Sequence, residues 1–445
     1  MSEQTAKERF LSQFEELPRR DDALQPLRED ALARFRKLGL PSRRQEDWKY
    51  TSIRPIEQTE FRLPASRAPL SREQADAQAI PGLTAHRLVF VNGRFSDELS
   101  SPGDLPEGVQ LRSLAAVLAE DAGPVRENLT RHSGLDFSGF TALNAAFLED
   151  GAVVDVARNI QCPTPIELLF LSAPGDNESF VFHPRVFVRL QQGAEATVIE
   201  HHAGLEGAHN FNNAVTEVEL ADQARLEHYR IQRETTAGFH IGSVHVSQAR
   251  ASRYVNHNIN LGGALVRNDL DARLEDVEAE TVLNGLYLVS SKQHVDNHTR
   301  VDHAAPHTYS DEHYKGVLDG TGRAVFNGKV QVSRDSQKIE AHQKNDNLLL
   351  TKLAEVDTKP ELEIYADDVI CSHGATVGQL DADALFYLRS RGISEEKARD
   401  LLTYAFAESV IERMPLAEIR EWLEELVVNR VSGSGLLDDL EKETS

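Results

Sequence analysis

The amino-acid sequence predicts a mainly β protein: a β-helix core between an N-terminal and a C-terminal helical domain. Three observations predict it. From residue 151 to about 375, segments such as EATVIEHHAG, ARLEHYRIQRE and GRAVFNGKVQVS alternate apolar and polar residues, with almost no helical period. Within that region a turn, a small residue and a strand recur. The echoes Ala194-Glu195-Ala196, Ala224-Arg225-Leu226, Ala249-Arg250-Ala251, Val277-Glu278-Ala279 and Gly322-Arg323-Ala324 stand 30, 25, 28 and 45 residues apart. Periods of this size mark stacked supersecondary units, and stacked β units make a solenoid; a sandwich or barrel is the competing arrangement. Finally, the helical period returns at both ends of the chain. The expected domains are therefore 1–150, helical and mixed; 151–375, the β-helix; and 376–445, helical.

The elements follow in order. Leu27, Ala31, Phe35 and Leu38 recur at helical steps after Pro26, and Gly39-Leu40-Pro41 stops them. A Pro-rich stretch follows to about residue 110, within which RLVFVNGRFS (87–96) reads as a strand, an Asn-Gly turn and a return. LAAVLAED reads as a short helix. After the β region, Asp381 to Arg391 forms a helix ended by Gly392. Ser394 caps the next, with Glu395 and Glu396 in its first turn, and that helix runs to Pro415. The last helix carries Leu416, Ile419, Leu423 and Leu426 on one face, widened by Trp422 and Val427. The tail SGSGLLDDLEKETS reads as a frayed end.

The formal net charge of -23 disfavours nucleic acid and acidic membranes as partners. No apolar run approaches the length of a membrane span, and the start, MSEQTAKERF, lacks the layout of a signal peptide. Two cysteines cannot make a disulfide framework. A cytoplasmic setting is expected.

Candidate chemistry is sparse. GTGRAVFNGKVQVS fails as a phosphate loop: Gly322 to Gly328 is one residue too long, Val330 stands where a hydroxyl should hold magnesium, and a strand follows. Fourteen of the seventeen histidines lie between His183 and His342. His294 and His298, then His303 and His307, are spaced by four. In extended chain that is about 13 Å, so these read as hydrogen-bonding residues rather than metal ligands. Asp367, Asp368, Asp381 and Asp383 could serve acid/base chemistry in a β-helix carbohydrate-active enzyme, the alternative function; turn and helix-cap roles explain them more simply.

DDVICSHGAT (367–376) holds one of the two cysteines. At two-residue spacing, Cys371 and His373 face the same side of a strand. A thiolate beside an imidazole suits zinc or iron–sulfur chemistry. Two ligands do not close a four-coordinate site, and Cys162 lies far back in the chain. Three readings stand: an inert buried cysteine, a Cys–His nucleophile pair, or a half-site completed by another polypeptide.

VDTKPELEIYADDVICSHGATVGQLDADALFYLRSRGIS resembles the C-terminal signature of the SufB/SufD family, its SufD branch in particular. QEDWKYTSI (45–53), DNHTRVDHAAPHTYSDEHYKGVLDG (296–320) and FNGKVQVSRDSQKIEAHQKNDNLLL (326–350) resemble that family too, so the likeness spans nearly the whole chain. It implies a right-handed parallel β-helix core flanked by N-terminal and C-terminal helical domains. It implies a scaffold subunit of the SUF iron–sulfur cluster assembly system, not an enzyme. The partners it implies are a SufB paralogue, paired through the β-helix, and the ABC-type ATPase SufC, docked on Ser394 to Val428. A homodimer is expected when the chain is alone. The family's functional cysteine and histidine near the paralogue interface correspond to Cys371 and His373, a cofactor-binding half-site for a transient iron–sulfur cluster shared with SufB. A reduced flavin is a further candidate cofactor of the complex. Two departures set the chain apart from SufB: it lacks an N-terminal multi-cysteine motif, and Gly374 stands where SufB-type sequences carry a glutamate.

Overall fold

The computed structural model describes residues 5–17, 24–64, 68–120, 129–134, 137–175 and 178–432. The tail read as frayed lies, from residue 433 on, outside the described residues.

The chain first lays down a hairpin, β1 (His86–Val91) and β2 (Arg94–Ser101), then β3 (Val109–Ser113), β4 (Gly151–Val156) and β5 (Gln161–Ser172). Next come β6 (Phe180–Phe182), β7 (Arg185–Leu190), β8 (Glu195–Gly204), β9 (Asn210–Leu220) and β10 (Arg225–Arg233). They are followed by β11 (Phe239–Gln248), β12 (Arg253–Asn260), β13 (Leu265–Leu274), β14 (Glu280–Val289) and β15 (His294–His303). The last five are β16 (Tyr309–Leu318), β17 (Arg323–Val332), β18 (Ile339–Leu349), β19 (Glu355–Ile364) and β20 (Val369–Gly378).

From β8 onward the chain alternates between two sheets. One runs β2-β1-β5-β8-β10-β12-β14-β16-β18-β20, the other β19-β17-β15-β13-β11-β9-β7-β4-β3, with β6 beside β9. Each strand pairs in parallel with the strand two further on, which makes a parallel β-solenoid of about eight turns. The ladder corrects the repeat read from sequence. Glu195, Arg225, Arg253, Glu280, Tyr309, Glu340 and Ile370 are equivalent, 30, 28, 27, 29, 31 and 30 residues apart. Ala249-Arg250-Ala251 is a turn just before its strand, and Gly322-Arg323-Ala324 opens a strand of the other sheet. A turn counted three residues early gave the 25-residue step, and a change of sheet the 45-residue one.

Alternation decides which side chains fill the interior. Val198, Val218, Leu226, Val244, Tyr254, Val266, Leu283 and Tyr287 are buried in the main core, inside the solenoid. Large inner residues face gaps on the next turn: a Cβ on Gly285 would lie 2.1 Å from the Tyr314 ring, and one on Gly316 2.1 Å from the Tyr287 ring.

The outer faces are apolar too, as parallel strands require, and helices cover them. Phe10, Phe35, Trp48, Ile53 and Phe140 pack on Phe211, Phe239 and Leu265 of one sheet. The helices Glu395–Ile411 and Ala417–Ser432 pack on Ile199, Tyr229, Ile231, Ile259 and Leu286 of the other. The caps read from sequence are present: Gly39 ends Gln25–Leu38, the Asp381 carboxylate accepts from the Asp383 and Ala384 amides, and Ser394 Oγ accepts from the Lys397 amide. Buried Arg185 bonds Glu217, Asn144 and Ser133, tying the N-terminal segments to the core.

The solenoid's two ends differ. At one, β2 and β3 close the sheets with antiparallel pairing. At the other, β19 and β20 finish them with no further strand among the described residues. Bare edges of this kind invite pairing with another chain.

Candidate functional site

Cys371 and His373 both lie on β20, the strand that ends the first sheet. Its one neighbour is β18, with Ala341 opposite Cys371 and Gln343 opposite His373. Ala341, Gln343, Asn345 and Asn347 are buried and form the inner column of β18. Cys371, His373, Ala375 and Val377 continue that column onto a last turn that no other strand among the described residues covers. Ser372, by contrast, points outward, where its hydroxyl is 2.8 Å from His342 Nδ1. The period-2 reading of DDVICSHGAT is therefore right: thiol and imidazole share the inner face at the open end.

Their environments differ. Cys371 is half-buried against Val330, Val332, Ile339 and Ala341, with Leu362 and Val369 beside them. Burial pushes its thiol pKa up, against a smaller opposite effect of the Ala341 backbone. His373 is exposed. Two residues along a strand place their Cα atoms about 6.6 Å apart. Among the described residues, the pair belongs to no group of three or more His, Cys, Asp or Glu donors within ligating reach of one another.

The inner column extends deeper. Glu312 of β16 stands beside Gln343, which stands beside His373. Gln343 Nε2 donates to Glu312 Oε2 at 2.6 Å. Burial lifts the Glu312 carboxyl to about 7, outweighing its hydrogen bonds. Sequence reading missed this residue, because its distance from His373 spans two turns of the solenoid.

The other candidates are placed plainly. Cys162 opens β5, buried, seven strand steps from β20, or about 34 Å. Its thiol approaches the Thr164 carbonyl at 3.3 Å. His294, His298 and His303 lie on β15, extended rather than helical, and His307 is in the following turn. Arg323 to Val332 is a strand, so no helix N-terminus could hold phosphate after Gly322. Asp381 caps a helix and Asp368 pairs with Lys338 at a corner.

The apolar face of the last helix packs inward. Ile419, Leu423 and Val427 are fully buried and Trp422 nearly so, packed on the outer face of the solenoid. Trp422 also stacks under Arg233 at 5.4 Å. That face is therefore taken up by the core. Helix Ala382–Ser390 buries no residue and exposes Phe386 and Tyr387, 74% and 57% accessible. Ile370 and Tyr365 at the open end are 65% and 58% accessible.

Comparison with known proteins agrees with this architecture. The family model "SUF system FeS cluster assembly, SufBD core domain" matches residues 172–406, and "SufBD protein N-terminal region" matches residues 7–168. An iron-sulfur cluster assembly SufBD family protein of Synechocystis is 34% identical over 92% of this chain and 91% of its own. The iron-sulfur cluster assembly protein SufD of Escherichia coli is 34% identical over 87% of this chain and 89% of its own. The SufD of Bacillus subtilis is 26% identical over 67% and 68%. With its solenoid, its paired N-terminal region and this breadth of likeness, the chain belongs to the SufBD family of iron–sulfur cluster assembly proteins.

Proposed function

We propose that this chain is a scaffold subunit rather than an enzyme, and that it builds iron–sulfur clusters together with a SufB-type paralogue and a SufC-type ATPase in the cytosol. One observation carries the reading: the solenoid ends in two bare strands whose inner face presents Cys371 and His373 without a third donor among the described residues. Such an edge takes a strand from another chain through backbone hydrogen bonds. A partner ending in a similar solenoid would cover Ile370 and Tyr365 and bring the missing ligands to Cys371 and His373.

The cluster is the cargo of this site. In the free chain the raised thiol pKa keeps Cys371 protonated and unreactive. Bonding to iron displaces that proton to solvent, and His373 on the same face is the second ligand. The open end is thus quiet alone and reactive once a partner and metal arrive. The exposed surface of the C-terminal helices, with Phe386 and Tyr387 on the first of them, suits the ATPase. Nucleotide-driven movement of that partner would change the angle between paired solenoids, shifting a population between closed and open interfaces.

Co-expression with SufB-type and SufC-type subunits tests the reading. The chain should elute as part of a complex containing both, and the complex should carry iron and sulfide after reconstitution. Elution of this chain alone, with the other two joined without it, would refute the assignment.

A further inference from the structure

A second group of ligand-type side chains lies far from the open end, inside the solenoid. His202 is on β8, Glu234 directly follows β10, and His240 is on β11. One ligand atom from each lies within 4.8 Å of the other two. All three residues are buried. We propose that His202, Glu234 and His240 form an internal binding site for one divalent first-row ion of the zinc or iron(II) type.

Geometry supplies the first reason. Two imidazoles and a carboxylate are the donor set that borderline divalent ions take, with bonds near 2.0–2.2 Å. Donors so close need only small rotations to converge on one ion. Their orientation is already held. Gln232 Nε2 donates to Glu234 Oε2 at 2.5 Å, Asn212 Nδ2 reaches Glu234 Oε1 at 3.1 Å, and Phe170 stacks on the His202 ring at 4.8 Å. Outer partners of this kind fix ligands for a metal.

The second reason is what the hydrogen bonds leave unmet. His240 Nδ1 is 2.8 Å from Glu234 Oε1, and Asn212 Nδ2 is 3.0 Å from His202 Nδ1. His202 Nε2 lies 3.7 Å from Glu200 Oε2, while His240 Nε2 and Asn212 Oδ1 are buried without a hydrogen-bond partner. Each such buried atom costs about 1–3 kcal/mol unless a partner is supplied, and a bound cation would supply one.

Glu234 begins a corner whose Thr236 and Ala237 are exposed. Neighbouring turns clamp that corner: a Cβ on Gly262 would meet the Glu234 carbonyl at 2.1 Å, and one on Gly204 the Thr235 amide at 2.7 Å. Backbone packed this closely sets the carboxylate's position.

The test uses the full-length protein carrying Cys371→Ala and His373→Ala, so that the open end contributes no ligands and the two sites are judged apart. Protein is isolated from zinc-supplemented and, anaerobically, from iron-supplemented medium. One equivalent of metal per chain is expected, with X-ray absorption showing two imidazoles and a carboxylate oxygen around it. His240→Ala should abolish stoichiometric binding. Gln232→Ala, which keeps all three ligands and frees Glu234, should weaken binding about 10–100-fold. Absence of stoichiometric metal, a first sphere without imidazole, or full occupancy in His240→Ala would overturn the proposal. If His240→Ala does not fold, the first sphere of the ligand-complete protein decides by itself.

Discussion

Ala341 of β18 and Cys371 of β20 are partners in one parallel ladder, yet the alanine is fully buried and the cysteine only half so. The difference is one missing turn of solenoid. Every inner-facing residue from β8 to β18 has a neighbour above and below; those of β20 have a neighbour on one side.

Cys371→Ala and His373→Ala should therefore cost less than about 1 kcal/mol of stability, since neither opens an enclosed cavity. Cluster formation in vivo should nevertheless fall, read as iron and sulfide in the purified complex. Normal cluster content in both variants under iron limitation would exclude a half-site at the open end.

The helices after β20 should separate into core and docking surface. Leu423→Ala is expected to lower stability by about 2–5 kcal/mol, because Leu423 is fully enclosed between helix and sheet. Phe386→Asp combined with Tyr387→Asp should leave the melting temperature almost unchanged and reduce capture of a SufC-type ATPase. Unimpaired capture by that double variant would move the docking surface elsewhere.

Glu312 should make stability depend on pH. Its folded value of about 7 lies above the ordinary 4.5, so between these values the folded chain keeps a proton that the unfolded chain has lost. Its contribution is complete below about pH 4.5 and is lost as pH rises through 7, on the order of 3 kcal/mol in all. Glu312→Gln removes the titration and should stabilise the protein at pH 8 relative to pH 5, compared with the parent. Parallel pH profiles for parent and variant in chemical denaturation would contradict the burial of an uncompensated carboxyl.

The purified chain should hydrolyse no ATP above background. The loop Gly320–Gly322 runs into β17, which offers neither a helix N-terminus nor a hydroxyl for magnesium. Turnover that persists through successive purification steps at constant specific activity would count against this.

Much of the architecture is written in short-range patterns. A period of two in strands and 3.6 in helices is local, so DDVICSHGAT shows by itself that Cys371 and His373 share a face. The stops and caps at Gly39, Asp381 and Ser394 are local as well, because each satisfies backbone groups within one turn of helix. Likeness to the SufB/SufD family was carried by contiguous stretches, and needed no coordinates.

What lies across turns was decided by the tertiary structure. Corners of varying length set which residues stand level, so Glu312, Gln343 and His373 align although 31 and then 30 residues separate them. The same geometry gathers His202, Glu234 and His240 from two strands and a corner, where no spacing in the chain announces a ligand set. Amphipathicity told that the last helix has an apolar face, but not what covers it. The outward residues of a parallel sheet, Tyr229, Ile231 and Ile259 among them, are apolar and must be covered, and they claimed Leu423 and Trp422 before any partner could.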